Sequence, residues 1–322
     1  MDMHHAGKSR SILAAAIAIA AVIGFGPAAQ GEPRIVTFNT GGCDTEPAAI
    51  NAKGMIVGNS YSDGEFCGAF VRLPDGTFQF FYGIAAAMNR KGQITGNDPK
   101  GPAFVGKADG TLTYFSLHID GHKHESLAPA GINSEGTIAG TYTYVIKEVP
   151  RQWGVSGFLR TADGNITAFG CPRAGTATRV TGINNLGATV GYIDARVREG
   201  CIHNPDGTST VFDAGGATYP TAINDAGYVT GKVNTSSGQW GFVRAPDGTV
   251  TLFNGTPYGI NAAGTVTGDY GNQGFVRTAD GTFTVFAVDG ADYTHARSIN
   301  DAGVVTGDYL GGIGYLGFIR FP

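Results

Sequence analysis

Charge is scarce in this chain: Asp, Glu, Lys and Arg make up only 15% of it. After residue 30 there is no helical periodicity and no long run of Ala, Leu, Glu and Lys. That excludes a helical bundle, whose helices need an apolar stripe with a period of about 3.6. Several chemical signatures are missing as well. No Gly-x-Ser-x-Gly elbow occurs, so a hydrolase presenting its serine on such a turn is excluded. No Asp-x-Asp-x-Asp-Gly loop occurs, which removes the usual helix-loop-helix calcium site. Positive charge is not in excess, since the net charge is −4. A mildly acidic protein is a poor partner for nucleic acid or anionic membrane.

What is present begins with residues 1–30, which read as a secretory signal. Lys8 and Arg10 supply the positive start, and an apolar stretch runs from Ser11 to Phe25. It falls short of the ~20 residues that span a bilayer. Pro27, Ala28 and Ala29 place small residues near a cleavage point. Losing two cations and one anion with residues 1–29 takes the net charge from −4 to −5. Residues 31–322 then form the mature protein, secreted or periplasmic, with no membrane span. Its 42% hydrophobic content is ample for a core.

Gly is abundant, at 52 residues, and its placement is periodic. Ile-Asn followed by a glycine three residues after the asparagine recurs seven times, with Met88 replacing Ile once. The asparagines are Asn51, Asn89, Asn133, Asn184, Asn224, Asn261 and Asn300. A period near forty is a repeat architecture. In the best-formed unit, 258–261, 265–270, 274–277 and 282–286 read as four short strands joined by turns at Gly264 and Asp280-Gly281. A four-stranded antiparallel meander of this length is a propeller blade. A second glycine falls inside the second strand of every unit, from Gly58 to Gly307. Such a glycine marks a bulge or a close backbone approach.

The last unit stops after three strands, at Phe321-Pro322, whereas 34–38 (Arg-Ile-Val-Thr-Phe) matches a fourth strand. The expected fold is therefore all-β: a seven-bladed β-propeller closed by the N-terminal strand pairing with the last blade. The Ile-Asn strands would then line the channel. The four cysteines of an exported chain suggest two disulfides. Cys43 and Cys171 lie in crossovers, and Cys67 and Cys201 start the third strand of the following blade. The expected pairs are Cys43–Cys67 and Cys171–Cys201.

The pattern Ile-Asn-x-x-Gly, Thr-Gly, Gly-Phe-x-Arg, Asp-Gly-Thr-x-Thr-x-Phe resembles the HAF extracellular-repeat family of bacterial exported proteins. The resemblance covers about residues 34–321, and 260–286 and 299–320 match closely. It implies an exported repeat protein and carries over no catalytic residue. Met88, Pro102-Ala103-Phe104 and Cys201 depart from the pattern.

Length variation falls in the second turns and crossovers, on one face, where binding usually resides. The longest variable segments are 141–156 and 116–130. Trp153 and Trp240 both fall in second-turn loops of this face. Tyr258 and Arg297 add polar reach beside their Ile-Asn pairs, where the other blades carry mostly small residues. These four are the candidate ligand contacts. His118, His122 and His124 crowd one crossover, but their spacing matches no closed zinc pattern and Lys123 repels a cation. No metal, no cofactor and no catalytic residue is expected. The expected function is that of an exported, monomeric, non-catalytic propeller binding a carbohydrate or protein partner on its loop-rich face. A lyase or hydrolase acting on extracellular polymers, or a purely structural surface protein, is the alternative. Converging carboxylates or histidines at the channel mouth would favour the enzyme.

Overall fold

The computed structural model describes residues 33–99, 101–117, 123–148, 151–172, 177–312 and 314–322. The leader expected at 1–30 lies outside them. Among the described residues there is no helix, and 28 strands form seven four-stranded antiparallel sheets. The sheets form a ring, a seven-bladed propeller. Blades 1 to 6 span residues 44–81, 84–115, 123–169, 177–212, 217–253 and 256–286. Blade 7 takes three strands from 293–320 and its outer strand, Ile35–Phe38, from the other end of the chain. Ile35 pairs with Arg320 and Phe38 with Gly317. The Phe321 N–H donates to the Arg34 carbonyl at 2.9 Å. Arg34 and Phe321 thus meet where the other blades carry their third turn.

The strand glycines have a common cause. In every blade the residue three before the Ile-Asn isoleucine (or Met88) faces the strand glycine, and a β-bulge follows directly. The bulge pushes the carbonyl of the preceding residue toward that glycine. A Cβ at Gly307 would collide with the His295 carbonyl, and the other six meet the equivalent carbonyl. Bulge and close approach are one feature.

Asparagine is chosen for three simultaneous bonds. Asn51 Oδ1 accepts the N–H groups of Lys53 and Met55, at 2.9 and 3.1 Å, which holds the turn. Its Nδ2 donates to the Asn89 carbonyl of the next blade at 3.4 Å. The same inter-blade bond runs from Asn89 to Asn133, and along Asn184, Asn224, Asn261 and Asn300 back to Asn51, at 2.8–3.2 Å. Serine or aspartate would satisfy the turn but supplies no amide donor to the neighbour.

The core lies between blades. Phe70, Phe104, Phe158, Phe242, Phe275 and Phe318 are fully buried on the third strands. Two residues later, Arg72, Arg160, Arg244, Arg277 and Arg320 lay their guanidinium groups over a phenylalanine on the preceding blade's outer strand. Those distances are 4.7–5.1 Å. In blade 4, His203 stacks on Phe169 at 4.1 Å instead. The Gly-Phe-x-Arg motif is therefore a blade-to-blade clasp. Blade 4 also lacks the phenylalanine, and buried Cys201, bonded to Cys171, fills its place. Both expected disulfides form, with Cα separations of 6.8 Å for Cys43–Cys67 and 6.5 Å for Cys171–Cys201.

The variable segments need correction. Residues 141–156 are mostly ladder: strands Ile138–Glu148 and Arg151–Arg160 run on past the rim as a long hairpin. Trp153 sits opposite Val145 within it. Trp240 lies in the strand Gly238–Arg244, opposite Val233. Neither tryptophan is on a loop. The run Thr-Tyr-Thr-Tyr-Val-Ile at 141–146 is rich in β-formers, so pairing continues beyond the common blade length.

Candidate functional site

Inner strands alternate. Residues three and five before the isoleucine, such as Pro47 and Thr45 or Ala296 and Thr294, are buried between blades. Those two and four before it are half-exposed to exposed and form the series turned to the channel. In blades 2 and 3 this series is Ile84, Ala86, Ala128 and Ala130. From blade 4 round to blade 1 it is Arg179 and Thr181, Tyr219 and Thr221, Thr256 and Tyr258, His295 and Arg297, then Glu46 and Ala48. One wall of the channel is apolar and small, and the other is polar and ionisable.

The residue after each strand glycine supplies the next layer. In three blades it caps the next blade's bulge. Asn59 Oδ1 accepts the Ala85 N–H at 2.9 Å, Thr141 Oγ1 the Val180 N–H at 2.9 Å, and Asp269 Oδ1 the Ala296 N–H at 3.1 Å. In the other four the next blade presents proline at that position: Pro47, Pro129, Pro220 and Pro257. Proline has no N–H to cap. The residues so released are Asp308, Asn97, Tyr192 and Lys232.

Blades 6, 7 and 1 bring the ionisable groups together. His295 Nδ1 and Asp269 Oδ2 lie 2.8 Å apart. The hydrogen bond with Asp269 holds the His295 imidazole above its ordinary pKa, against the effect of burial. Burial, the charge of Asp269 and a hydrogen bond to it push the Tyr258 hydroxyl up to about 12. Arg297 Nε donates to Asp308 Oδ1 at 2.7 Å. Asp308 is fully buried, and that burial raises its carboxyl above the usual range despite Arg297. Glu46 is raised too, by its own burial and then by the negative charge of Asp308. A buried acid beside a second carboxyl and a cation is the arrangement that holds and moves protons.

Of the residues singled out in the sequence, Tyr258 and Arg297 meet in this cluster. Trp153 is 48% exposed on its hairpin, away from it. Trp240 packs against the core between blades 4 and 5 and donates Nε1–H to Ser237 Oγ at 3.4 Å. His118 and His122 lie outside the described residues, and His124 pairs with Tyr144 in the blade 3 hairpin. Among the described residues no group of three His, Cys, Asp or Glu is placed to hold a metal. The repeated Asp-Gly carboxylates are engaged in their own turns, as where Asp75 accepts the Thr77 N–H at 2.9 Å. Glu46, Asp269, His295 and Asp308 escaped the sequence reading. The legible signal was Thr-Gly-Asp, present in blades 6 and 7 and replaced by Thr-Gly-Lys in blade 5.

The opposite end of the channel is closed more simply. A cavity of about 210 Å³ there is lined by the asparagine belt. Arg90 crosses it to Asp301 at 2.7 Å and Asp225 at 3.6 Å. These pairs tie blades 2, 5 and 7 together.

No family model and no curated protein matches the chain. Solved structures do. A catalytically inactive virginiamycin B lyase from Staphylococcus aureus with quinupristin is 13% identical, at a TM-score of 0.61, over 90% of this chain and all of that one. A streptogramin B lyase is similar at 13% identity and a TM-score of 0.60, over 89% of this chain and 97% of that one. The Cps50 (Swd1) β-propeller domain of Myceliophteria thermophila follows at 11% and 0.55, over 89% and 99%. At such identities the likeness is one of fold. The chain is a β-propeller stapled by two disulfides, as suits an oxidising, non-cytoplasmic compartment.

Proposed function

We propose that the protein binds an extracellular carbohydrate at the loop-face mouth of its channel. One observation carries this reading. All seven repeats keep their turn asparagines and strand glycines, and six keep the buried phenylalanine, yet they diverge at the channel-facing positions, which are polar over five blades and apolar over two. A structural ring has no need of that asymmetry. Carboxylates, an imidazole and a guanidinium at one mouth suit the hydroxyls of a sugar. The resemblance to HAF extracellular repeats supports an exported setting, and exposed Trp153 is a secondary contact for a longer chain. A second reading has its own support: Asp308 and Glu46 hold their protons more tightly than ordinary carboxyls. They favour acid–base chemistry on the bound polymer, by a lyase or hydrolase.

Calorimetry of the mature protein against a panel of extracellular polysaccharides tests binding, and chromatography of the same mixtures tests cleavage. Arg297→Met is expected to weaken binding about tenfold or more, since a charge-assisted hydrogen bond contributes roughly 1.5–3 kcal/mol. Binding by no member of the panel, or binding indifferent to Arg297→Met and Tyr258→Phe, overturns the assignment.

A further inference from the structure

We propose that blades 4 and 5 carry an anion subsite at the same mouth, built by Arg179, Arg198 and Lys232, and that the ligand is a carboxylated saccharide. The inference rests on the carbohydrate reading above and specifies its chemistry. Asp194 joins the two guanidiniums, accepting from Arg179 Nε at 2.9 Å and from Arg198 Nε at 2.6 Å. Arg198 Nη1 donates to the Tyr219 hydroxyl at 2.7 Å. The Arg198 guanidinium also lies over the Tyr219 ring at 5.2 Å, and Lys232 Nζ over the same ring at 5.5 Å. Three cations thus gather about one carboxylate, a local charge of +2 in a chain whose net charge is −4.

The placement is specific. Arg179 and Tyr219 belong to the channel-facing series of their inner strands. Lys232 follows a strand glycine and faces Pro257, where no N–H needs an acceptor, so a cation is tolerated there. Both arginine side chains remain 43% exposed. Asp194 fixes each through Nε, and among the described residues the Nη groups of Arg179 have no acceptor. A planar fork held from behind with its outer edge free matches a carboxylate. Across the channel, the half-buried Glu46, Tyr258 and His295 offer hydrogen-bonding partners for hydroxyls. A ligand with an acid group at one end of a hydroxylated ring satisfies both walls.

The test uses trigalacturonate, its fully methyl-esterified form, free galacturonate and inorganic phosphate, with binding followed by calorimetry at two salt concentrations. Trigalacturonate is expected to bind about tenfold more tightly than the ester, with a steeper salt dependence. Arg179→Met and Lys232→Met should each remove most of that advantage, weakening acid binding far more than ester binding. Circular dichroism and melting confirm that both variants fold. Ester and acid binding equally, or variants indistinguishable from wild type, overturns the subsite alone. No binding of either sugar overturns the carbohydrate reading with it. Phosphate displacing trigalacturonate as well as free galacturonate does shows a general anion site and overturns the saccharide assignment.

Discussion

Asn300 donates its side-chain amide to the carbonyl of Asn51 at 3.0 Å, joining the last blade to the first at the seam of the ring. Phe38 stands at the same seam, with its ring 6.4 Å from Phe70 and 6.1 Å from Phe78 of blade 1. The strand that completes blade 7 therefore also grips blade 1. Closure rests on both devices, one polar and one aromatic.

The asparagine belt is expected to resist even small changes. Asn224→Ala removes a buried donor and the acceptor that holds its turn. Each orphaned backbone group costs about 1–3 kcal/mol. Thermal unfolding should show a clearly lower Tm, and Asn224→Asp, which keeps the acceptor, should fall between wild type and alanine. Equal melting of all three would show that the belt contributes nothing.

The two disulfides should differ. In the chain-entropy model each contributes ~3–4 kcal/mol for loops of 24 and 30 residues. Cys171 and Cys201 are both buried, Cys201 where other blades hold phenylalanine, whereas Cys43 is half-buried and Cys67 exposed. Replacing Cys171 and Cys201 by alanine should cost about 1 kcal/mol more, because it leaves a cavity. Urea unfolding of the two double variants decides it, and equal midpoints would refute the difference.

Stability should carry a histidine signature. Asp269 raises the pKa of His295 in the folded protein. The stabilisation is therefore complete below the unfolded value of about 6.5 and is lost as pH rises through the higher folded value. The Tm difference between wild type and His295→Gln should be largest in mild acid and shrink toward alkaline pH. A difference that grows with pH would contradict the pair.

Two aspartates at equivalent positions should respond differently. Asp269→Ala orphans the Ala296 N–H and leaves His295 unpaired, a loss of about 1–3 kcal/mol. Asp308 faces Pro47, which has no N–H, and its burial is unfavourable to its charge. Asp308→Asn keeps an acceptor for Arg297 and orphans no backbone N–H, so its cost should be confined to the weakened ion pair and fall below that of Asp269→Ala. Chemical denaturation of both variants measures this, and a Asp308→Asn loss matching that of Asp269→Ala would disprove the release by proline.

What the sequence by itself determined is whatever a short segment dictates about its own backbone. The Ile-Asn turns, the strand glycines and the Asp-Gly turns are local requirements, so seven blades could be counted. The split of blade 7 between 35–38 and 293–320 followed from the count. The cysteine pairs followed too, since equivalent repeat positions share a face. Tertiary structure decided the rest. Asn51 reveals its bond to Asn89 only when blades stand side by side. Glu46 and Asp308 lie at opposite ends of the chain and become neighbours only because the ring closes. Trp153 belongs to a strand because pairing with Val145 outlasts the common blade length. Local propensity sets the turns and strands, but closure sets which side chains face one another across the channel.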